Sequence, residues 1–252
     1  MKSRTRADAI AESHAPDRIR ERLRGPAKQS YLSDFVYGGI DGAVTTFAVV
    51  SGVAGAGLSP IVILVLGLAN LLGDGFSMAA ANFLGIRADH QRLHRVREEE
   101  RREIELHPEG KIEEVRQIYA AKGLGGETLE LVVEAITADR ERWVDTMLTE
   151  EHGLALEARS PWRAAGMTFV AFFVVGAVPL VPFVFGNTGL DFADAFASST
   201  VLVACSLFGV GALKARFVDQ PWWRDGIETL AVGGVAAALA YAVGWSLRGL
   251  VG

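Results

Sequence analysis

Residues 61–85 read IVILVLGLANLLGDGFSMAAANFLG, and residues 86–106 continue the chain as IRADHQRLHRVREEERREIEL. The first segment is apolar over the roughly 20 residues that a helix needs to cross about 30 Å of hydrocarbon. The second is densely charged but contains neither Gly nor Pro, so the same helix is expected to leave the membrane and continue to Leu106. We expect it to stop near His107 and Pro108, because a proline disfavours helical geometry in the residue before it.

Four further apolar stretches accompany this one, at residues 35–57, 164–186, 192–213 and 227–247. The mean hydropathy of +0.25 therefore averages a strongly apolar part and a strongly polar part. The sequence predicts an all-α membrane protein with five transmembrane helices and a helical insert between the second and the third. The predicted organisation is a basic N-terminal segment at 1–34, helices 1 and 2 in 35–85, the insert in 86–162 and helices 3 to 5 in 163–252.

The positions of Lys and Arg predict the orientation of these spans. Eight precede the first span, thirteen lie between spans two and three, and three lie between spans four and five. The connections on the other side, at 57–60 and 187–191, contain none, and only Arg248 lies near the C-terminal end. By the positive-inside rule, the N-terminus and the insert are expected in the cytosol. Because the acidic excess is confined to residues 98–157, nucleic acid is not expected as a partner.

The insert is predicted to be a small unit of three or four helices. After the extension of the second span, the remaining helices are expected at 111–122, 127–137 and 139–157. Lys122 followed by Gly123 is typical of a helix C-terminus, and Glu127 is favourable at the positive end of the next helix.

A polar stripe marks the second span. Asn70, Asp74, Met78 and Asn82 are each four residues apart, so they share one helix face. An ionisable group at the centre of a membrane helix costs about 2.5 to 3.5 kcal/mol, so Asp74 is expected to face a partner or a water-filled path. Asp41 in the first span is the second membrane carboxylate, and together with Met78 the two acids are candidate ligands for a divalent cation. The alternative is that the stripe only forms hydrogen bonds to neighbouring helices.

Acidic side chains of the insert also fall at helical spacing. Two groups of residues each occupy one helix face, because their members are three or four positions apart. They are Glu100, Glu103 and His107, and Met147, Glu150 and Glu151. If their helices pack antiparallel, the two faces enclose a metal, with Glu113 and Glu114 as further ligands. The alternative is a solvated charged face, which we favour for the carboxylates that alternate with arginines, namely Glu98, Glu99 and Glu105.

The candidate ligand atoms indicate which metal ions the chain would bind, and the absence of certain motifs limits its functional class. Thioether sulfur suits Fe²⁺, Mn²⁺, Co²⁺ or Zn²⁺ better than Mg²⁺ or Ca²⁺. No P-loop, Cys-x-x-Cys pair or Gly-x-Ser-x-Gly elbow occurs in the sequence, so neither nucleotide hydrolysis nor nucleophilic catalysis is indicated. The chain is therefore expected to be no enzyme and to hold no permanent cofactor, and transport would draw its energy from an ion gradient.

Several motifs together resemble the vacuolar iron transporter family. They are Tyr37-Gly38-Gly39-Ile40-Asp41-Gly42, Asp74-Gly75-Phe76-Ser77-Met78-Ala79, the acidic helix Arg97 to Glu105, Trp143-Val144-Asp145, and the prolines Pro179 and Pro182. The resemblance implies a homodimer of five-span subunits that exchanges cytosolic Fe²⁺, in some members Mn²⁺, for protons. It assigns the translocation path to Asp41 and Met78. It assigns the sites of a cytosolic metal-binding domain to Glu100, Glu103, Glu114, Met147 and Glu151.

Three positions depart from the pattern of plant members of that family. Lys111 stands where they place a further Glu, Leu148 where they place a second Met, and Asn70 where they carry a membrane Glu. The insert is therefore expected to hold fewer ions or to hold them more weakly. Asp74, one helical turn from Asn70, is our hypothesis for the replacement of the missing carboxylate.

The sequence thus favours a proton-coupled antiporter that moves Fe²⁺ or Mn²⁺ out of the cytosol, embedded in membrane lipid. A membrane-anchored metal buffer or sensor without transport is the alternative. The high content of Ala, Gly and Arg favours a bacterial inner membrane, and a eukaryotic chain would lie in a vacuolar membrane.

Overall fold

The computed structural model describes residues 6–24, 30–156, 159–185, 191–218 and 220–251, and all regular elements in these ranges are helices. One compact unit, Met1–Ser30, contains two short helices, α1 (Arg6–Ser13) and α2 (Pro16–Arg24). The second unit, Tyr31–Gly252, contains all the others. They are α3 (Leu32–Ala56), α4 (Pro60–Leu106), α5 (Pro108–Ala121), α6 (Gly126–Thr137), α7 (Arg140–Glu150), α8 (Pro161–Gly176), α9 (Val181–Val184), α10 (Phe192–Val218) and α11 (Trp222–Val251).

Five helical segments of the second unit are long and apolar enough to cross a membrane: α3, α4, the segment Pro161–Val184, α10 and α11. The predicted fold class, all-α with five membrane-length helices, is therefore confirmed. The predicted continuity of the second span is confirmed as well, because α4 runs through 47 residues to Leu106 and ends beside His107. One continuous helix thus connects the apolar bundle to the insert.

Helix α3 lies at the centre of the bundle, where it packs against α8, α10, α11 and α4. Its contact with α8 depends on two glycines four residues apart. A Cβ atom at Gly38 would lie 2.5 Å from the backbone oxygen of Thr168, and one at Gly42 would clash with the backbone of Phe172. Small residues at this spacing let two membrane helices approach closely. The helix that carries Asp41 is thereby held against α8 on one side and packs against α4 on another.

The third membrane segment differs from the continuous span predicted at 164–186. Helix α8 ends at Gly176, a 3₁₀ turn covers Val178–Leu180, and α9 follows. The reason is Pro179, which has no N–H to donate to the preceding turn and whose ring clashes with it. The hydroxyl of Ser199 on α10 donates to the Pro179 carbonyl at 2.7 Å and so satisfies a buried group at the break. Residue 186 lies outside the described residues.

Helices α5, α6 and α7 form the insert together with the charged end of α4. Their shared apolar core includes Val96, Val115, Val144 and Leu148. Three helices after α4 were expected, but the last was predicted too long. It ends at Glu150 rather than at 157, because the chain turns at Gly153, which has a φ of +63°. Residue 157 lies outside the described residues.

A candidate path between two helices and an acidic cluster in the insert

Asn70 connects α3 to α4 in the middle of the bundle. Its side-chain oxygen accepts hydrogen bonds from Thr46 Oγ1 at 3.2 Å and from Thr45 Oγ1 at 3.4 Å, both on α3. Its side-chain nitrogen donates to Asp74 Oδ2, one turn further along α4. The polar stripe predicted on the second span therefore faces α3, and Asn70 orients the carboxylate of Asp74.

Asp41 lies opposite this stripe. Asp41 lies one turn before Thr45 on α3, and Thr45 contacts Asn70, which lies one turn before Asp74 on α4; both carboxylates are exposed at the surface of the single chain. Met78, one turn beyond Asp74, is half-buried and packs against the apolar core of the bundle. Within the described residues, no Lys or Arg forms an ion pair with either carboxylate. Asp41 and Asp74 thus lack a cationic partner there, and the thioether of Met78 lies one helical turn from Asp74. This arrangement favours the binding of a cation.

A third membrane-side carboxylate, Asp34, was not singled out from the sequence. It forms an ion pair with Arg159, just before α8, and its carboxylate accepts from Asn82 Nδ2 at 3.0 Å. Asn82 also donates to Thr168 Oγ1 on α8 at 2.8 Å. Asp34 precedes Asp41 by two helical turns, so this spacing could have predicted that the two residues share a face of α3. These contacts tie three helices together at the end of the stripe nearest the insert.

In the insert, four of the predicted ligands converge on one cation, the ammonium group of Lys111. Its Nζ lies 2.5 Å from Glu114, 2.9 Å from Glu100, 3.3 Å from Glu103 and 3.4 Å from Glu151. The side chains of Lys111 and Glu100 are only 5% and 3% exposed. Burial alone would lower the pKa of Lys111, but hydrogen bonds to Glu114 and Glu100 and the neighbouring charges raise it above its ordinary value. We name these four glutamates the acidic cluster.

His152 joins this cluster, although the sequence interpretation did not include it. Its Nε2 atom lies 2.9 Å from Glu100 Oε1 and 3.8 Å from Glu151 Oε2. One ligand atom from each of these three residues lies within 4.8 Å of the others. The chain leaves helix α7 after Glu150, and the turn that follows places His152 beside Glu100. The cluster thus offers a nitrogen donor besides its carboxylates.

Four further predicted ligands of the insert, His107, Glu113, Glu150 and Met147, form no ion pair or hydrogen bond with the ammonium of Lys111 among the described residues, and Glu113 pairs with Arg116 instead. Glu150 forms an ion pair with Lys122. The side chain of Met147 is fully buried in the apolar core of the insert, one turn before Glu151. Their roles as ligands stay predictions.

Arginines hold most of the remaining carboxylates of the insert. Arg101 binds Glu98 and both oxygens of Glu141, and Arg140 binds Glu105. Hydrogen bonds from Arg101 lower the pKa of Glu141. These carboxylates face cations of the protein, and the solvated face favoured for Glu98, Glu99 and Glu105 stays a prediction.

Known proteins are similar to this chain in both the apolar bundle and the insert. A sequence profile of the VIT family matches residues 32–245. The chain is 32% identical over 260 residues to the vacuolar iron transporter of Toxoplasma gondii, covering 97% of this chain and 85% of that protein. It is 30% identical over 221 residues to vacuolar iron transporter 2 of Oryza sativa subsp. japonica, covering 87% and 88%. It is 29% identical over 213 residues to vacuolar iron transporter 1 of Arabidopsis thaliana, covering 83% of each. The similarity extends over the apolar bundle and the insert alike.

Proposed function

This chain belongs to the VIT family and is an integral membrane protein that transports metal ions, and we propose that it exchanges cytosolic Fe²⁺ or Mn²⁺ for protons. It is not an enzyme, and the metal ion is its substrate rather than a resident cofactor. The observation that carries the proposal is the pair of carboxylates, Asp41 on α3 and Asp74 on α4, which lie near the contact between Thr45 and Asn70 and have no basic partner among the described residues. A divalent cation between them would compensate both charges.

The proposed mechanism follows from the charge of the pair. With both acids ionised, Asp41 and Asp74 supply the negative charge that replaces part of the hydration shell of the ion, and Met78 supplies a soft donor. Protons that arrive from the other side neutralise the same carboxylates and weaken their hold on the metal. The hydrogen bond from Asn70 keeps Asp74 pointed toward α3 in either state. Metal and protons thereby compete for one site, which is the requirement for exchange.

The orientation follows from charge distribution. Lys and Arg flank the insert and the N-terminus, so both are proposed to lie in the cytosol, where the acidic cluster collects ions for the path. Expelling two positive charges against 100 mV costs about 4.6 kcal/mol, at roughly 2.3 kcal/mol per charge, so proton influx must supply at least that amount. We propose a homodimer in a bacterial inner membrane, or in the vacuolar membrane that the names of the relatives indicate.

Reconstitution tests the proposal. Purified protein in vesicles with a metal-sensitive dye inside is expected to transport Fe²⁺ and Mn²⁺ when the pH gradient favours proton movement in the opposite direction. Asp41→Asn and Asp74→Asn are expected to abolish transport, because each removes half of the paired charge. Asp194→Asn, on an exposed position at the start of α10, is the matched control and is expected to transport normally.

Two results would contradict the proposal. Metal binding without flux under any pH gradient would favour the membrane-anchored buffer. Flux that persists in Asp74→Asn with unchanged pH dependence would show that Asp74 does not replace the carboxylate missing at Asn70.

A further inference from the structure

The centre of the acidic cluster is occupied by a side chain of the protein itself. Lys111 reaches from α5 to Glu100 and Glu103 on α4 and to Glu151 at the end of α7, besides Glu114 one turn away on its own helix. Three helices are thus joined through one ammonium group. The Oε2 atom of Glu100 is buried and depends on this ammonium, 2.9 Å away, for its charge balance. A buried carboxylate without such a partner is costly.

The cluster therefore resembles a cation site that already contains its cation. Charge-assisted contacts at these distances are among the stronger hydrogen bonds in proteins. On the rim, Glu103, Glu114 and Glu151 are exposed to water, so the cluster is open on one side. Lysine is suited to leave such a site because its charge sits at the end of a flexible four-carbon stem.

We propose that Lys111 is a tethered cation of the acidic cluster, and that a divalent metal ion binds there by displacing its ammonium group into solvent. The inference rests on the proposed metal binding by the insert. After displacement, Glu100 and Glu151 offer oxygen and His152 offers nitrogen, with ligand atoms within 4.8 Å of one another. Mixed oxygen and imidazole donors suit Fe²⁺, Mn²⁺, Co²⁺ and Zn²⁺.

Displacement has two consequences. The metal competes with a cation that can never diffuse away, so the affinity of the insert for metal is lower than its four carboxylates alone would give. The insert also keeps its fold without metal, because Lys111 neutralises the buried Glu100 in the absence of an ion. A cytosolic collecting site with these properties releases its ion readily to the path.

The first test measures Mn²⁺ affinity in the full-length protein in detergent, in a background of Asp41→Asn and Asp74→Asn that removes the membrane pair. Lys111→Gln is expected to bind Mn²⁺ at least about tenfold more tightly, because the competing charge lies within ion-pair distance of the same ligands. Arg101→Gln is the matched control, since it removes a cation of the insert that pairs with Glu98 and Glu141 outside the cluster. It is expected to leave the affinity unchanged.

The outcomes separate this inference from the proposed function. Equal Mn²⁺ affinity with and without Lys111 would overturn the tethered cation while the insert remained a metal site. Absence of Mn²⁺ binding in both proteins would instead overturn metal collection by the insert, and the present inference with it.

A second measurement does not depend on the folding of a variant. Amine acetylation of the wild-type protein, read by mass spectrometry, is expected to modify Lys111 slowly, since only 5% of its side chain is exposed. Saturating Mn²⁺ is expected to accelerate acetylation of Lys111 severalfold and to leave Lys214, which lies on α10, unchanged. Bound Mn²⁺ with no gain in Lys111 reactivity would overturn the proposal.

Discussion

Replacing Arg159 by Gln is expected to cost more stability than replacing Asp34 by Asn, although the two side chains form a single ion pair. The asymmetry comes from their surroundings. The side chain of Asp34 is 7% exposed, whereas that of Arg159 is 37% exposed and stacks over the ring of Tyr31 at 5.4 Å. Without Arg159, a buried carboxylate keeps, among the described residues, the hydrogen bond from Asn82. Without the charge of Asp34, the guanidinium still reaches water and the Tyr31 ring.

The magnitudes follow from this geometry. Removing one partner of a buried ion pair costs about 3 to 5 kcal/mol. Partial exposure of Arg159 and the remaining bond at 3.0 Å from Asn82 bring the cost of Arg159→Gln to the lower limit of this range or below it, at about 2 to 3 kcal/mol. Asp34→Asn keeps the shape and an acceptor oxygen, so we expect about 1 kcal/mol. The double variant is expected to cost about 1 to 2 kcal/mol less than the sum of the single variants.

Unfolding of the four proteins in mixed detergent micelles, followed by circular dichroism, measures these differences. Arg95→Gln is the control, because Arg95 and Glu99 form a mostly exposed pair at 3.6 Å. Such exposed pairs contribute at most about 1 kcal/mol to the free energy of unfolding. Equal costs for Arg159→Gln and Asp34→Asn, or additive costs in the double variant, would refute the reasoning.

Three further predictions concern packing, pH and metal. Gly42→Ala is expected to destabilise the bundle by about 1 to 3 kcal/mol in the same unfolding assay, because its Cβ would meet the α8 backbone. Gly73→Ala, which has open space around it, should be neutral or slightly stabilising. Hydrogen bonds from Gln117 and Arg116 lower the pKa of Glu113, and those from Arg116 lower the pKa of Glu130, so both glutamates stabilise the insert above the ordinary Glu value of 4.5 and lose that contribution as pH falls. The drop in melting temperature between about pH 7 and pH 4 should therefore be smaller in Arg116→Gln, and an unchanged drop would contradict it. Glu100→Gln should weaken Mn²⁺ binding by the insert at least about tenfold in equilibrium dialysis, whereas Glu98→Gln should not, and equal effects would mean that the acidic cluster is not the site.

Local patterns predicted what depends on local physics. The apolar run of 61–85 and the unbroken charged run after it were sufficient to predict α4 as one helix. The four-residue spacing of Asn70 and Asp74 likewise predicted a shared face, and Asn70 indeed donates to Asp74. Both arguments need only the helical repeat, which a single segment contains.

Long-range pairing was beyond the reach of the same reasoning. Arg159 follows Asp34 by 125 positions, and no periodicity relates them. Lys111 was recognised as a departure from an acidic position, but its location among four carboxylates depends on how α4, α5 and α7 pack together. His152 follows a helix that was predicted too long, so the turn that brings it to Glu100 was not anticipated. These contacts are set by tertiary packing, which spacing along one helix does not encode.

The negative charge of the two candidate sites is compensated differently, and this difference supports different roles for the two sites. In the insert, Lys111 compensates the acidic cluster, so its glutamates are stable with or without a metal ion. In the bundle, no basic side chain among the described residues pairs with Asp41 or Asp74. An ion or a proton that enters from outside would offset their charge, so the state of the bundle should depend on what is bound. A site whose negative charge is neutralised by a lysine of the same protein suits temporary storage of metal. A site whose charge is neutralised only when a metal ion or a proton binds suits the coupling of metal transport to proton transport. Metal should therefore stabilise the Asp41 and Asp74 region against hydrogen exchange strongly, and the insert only weakly.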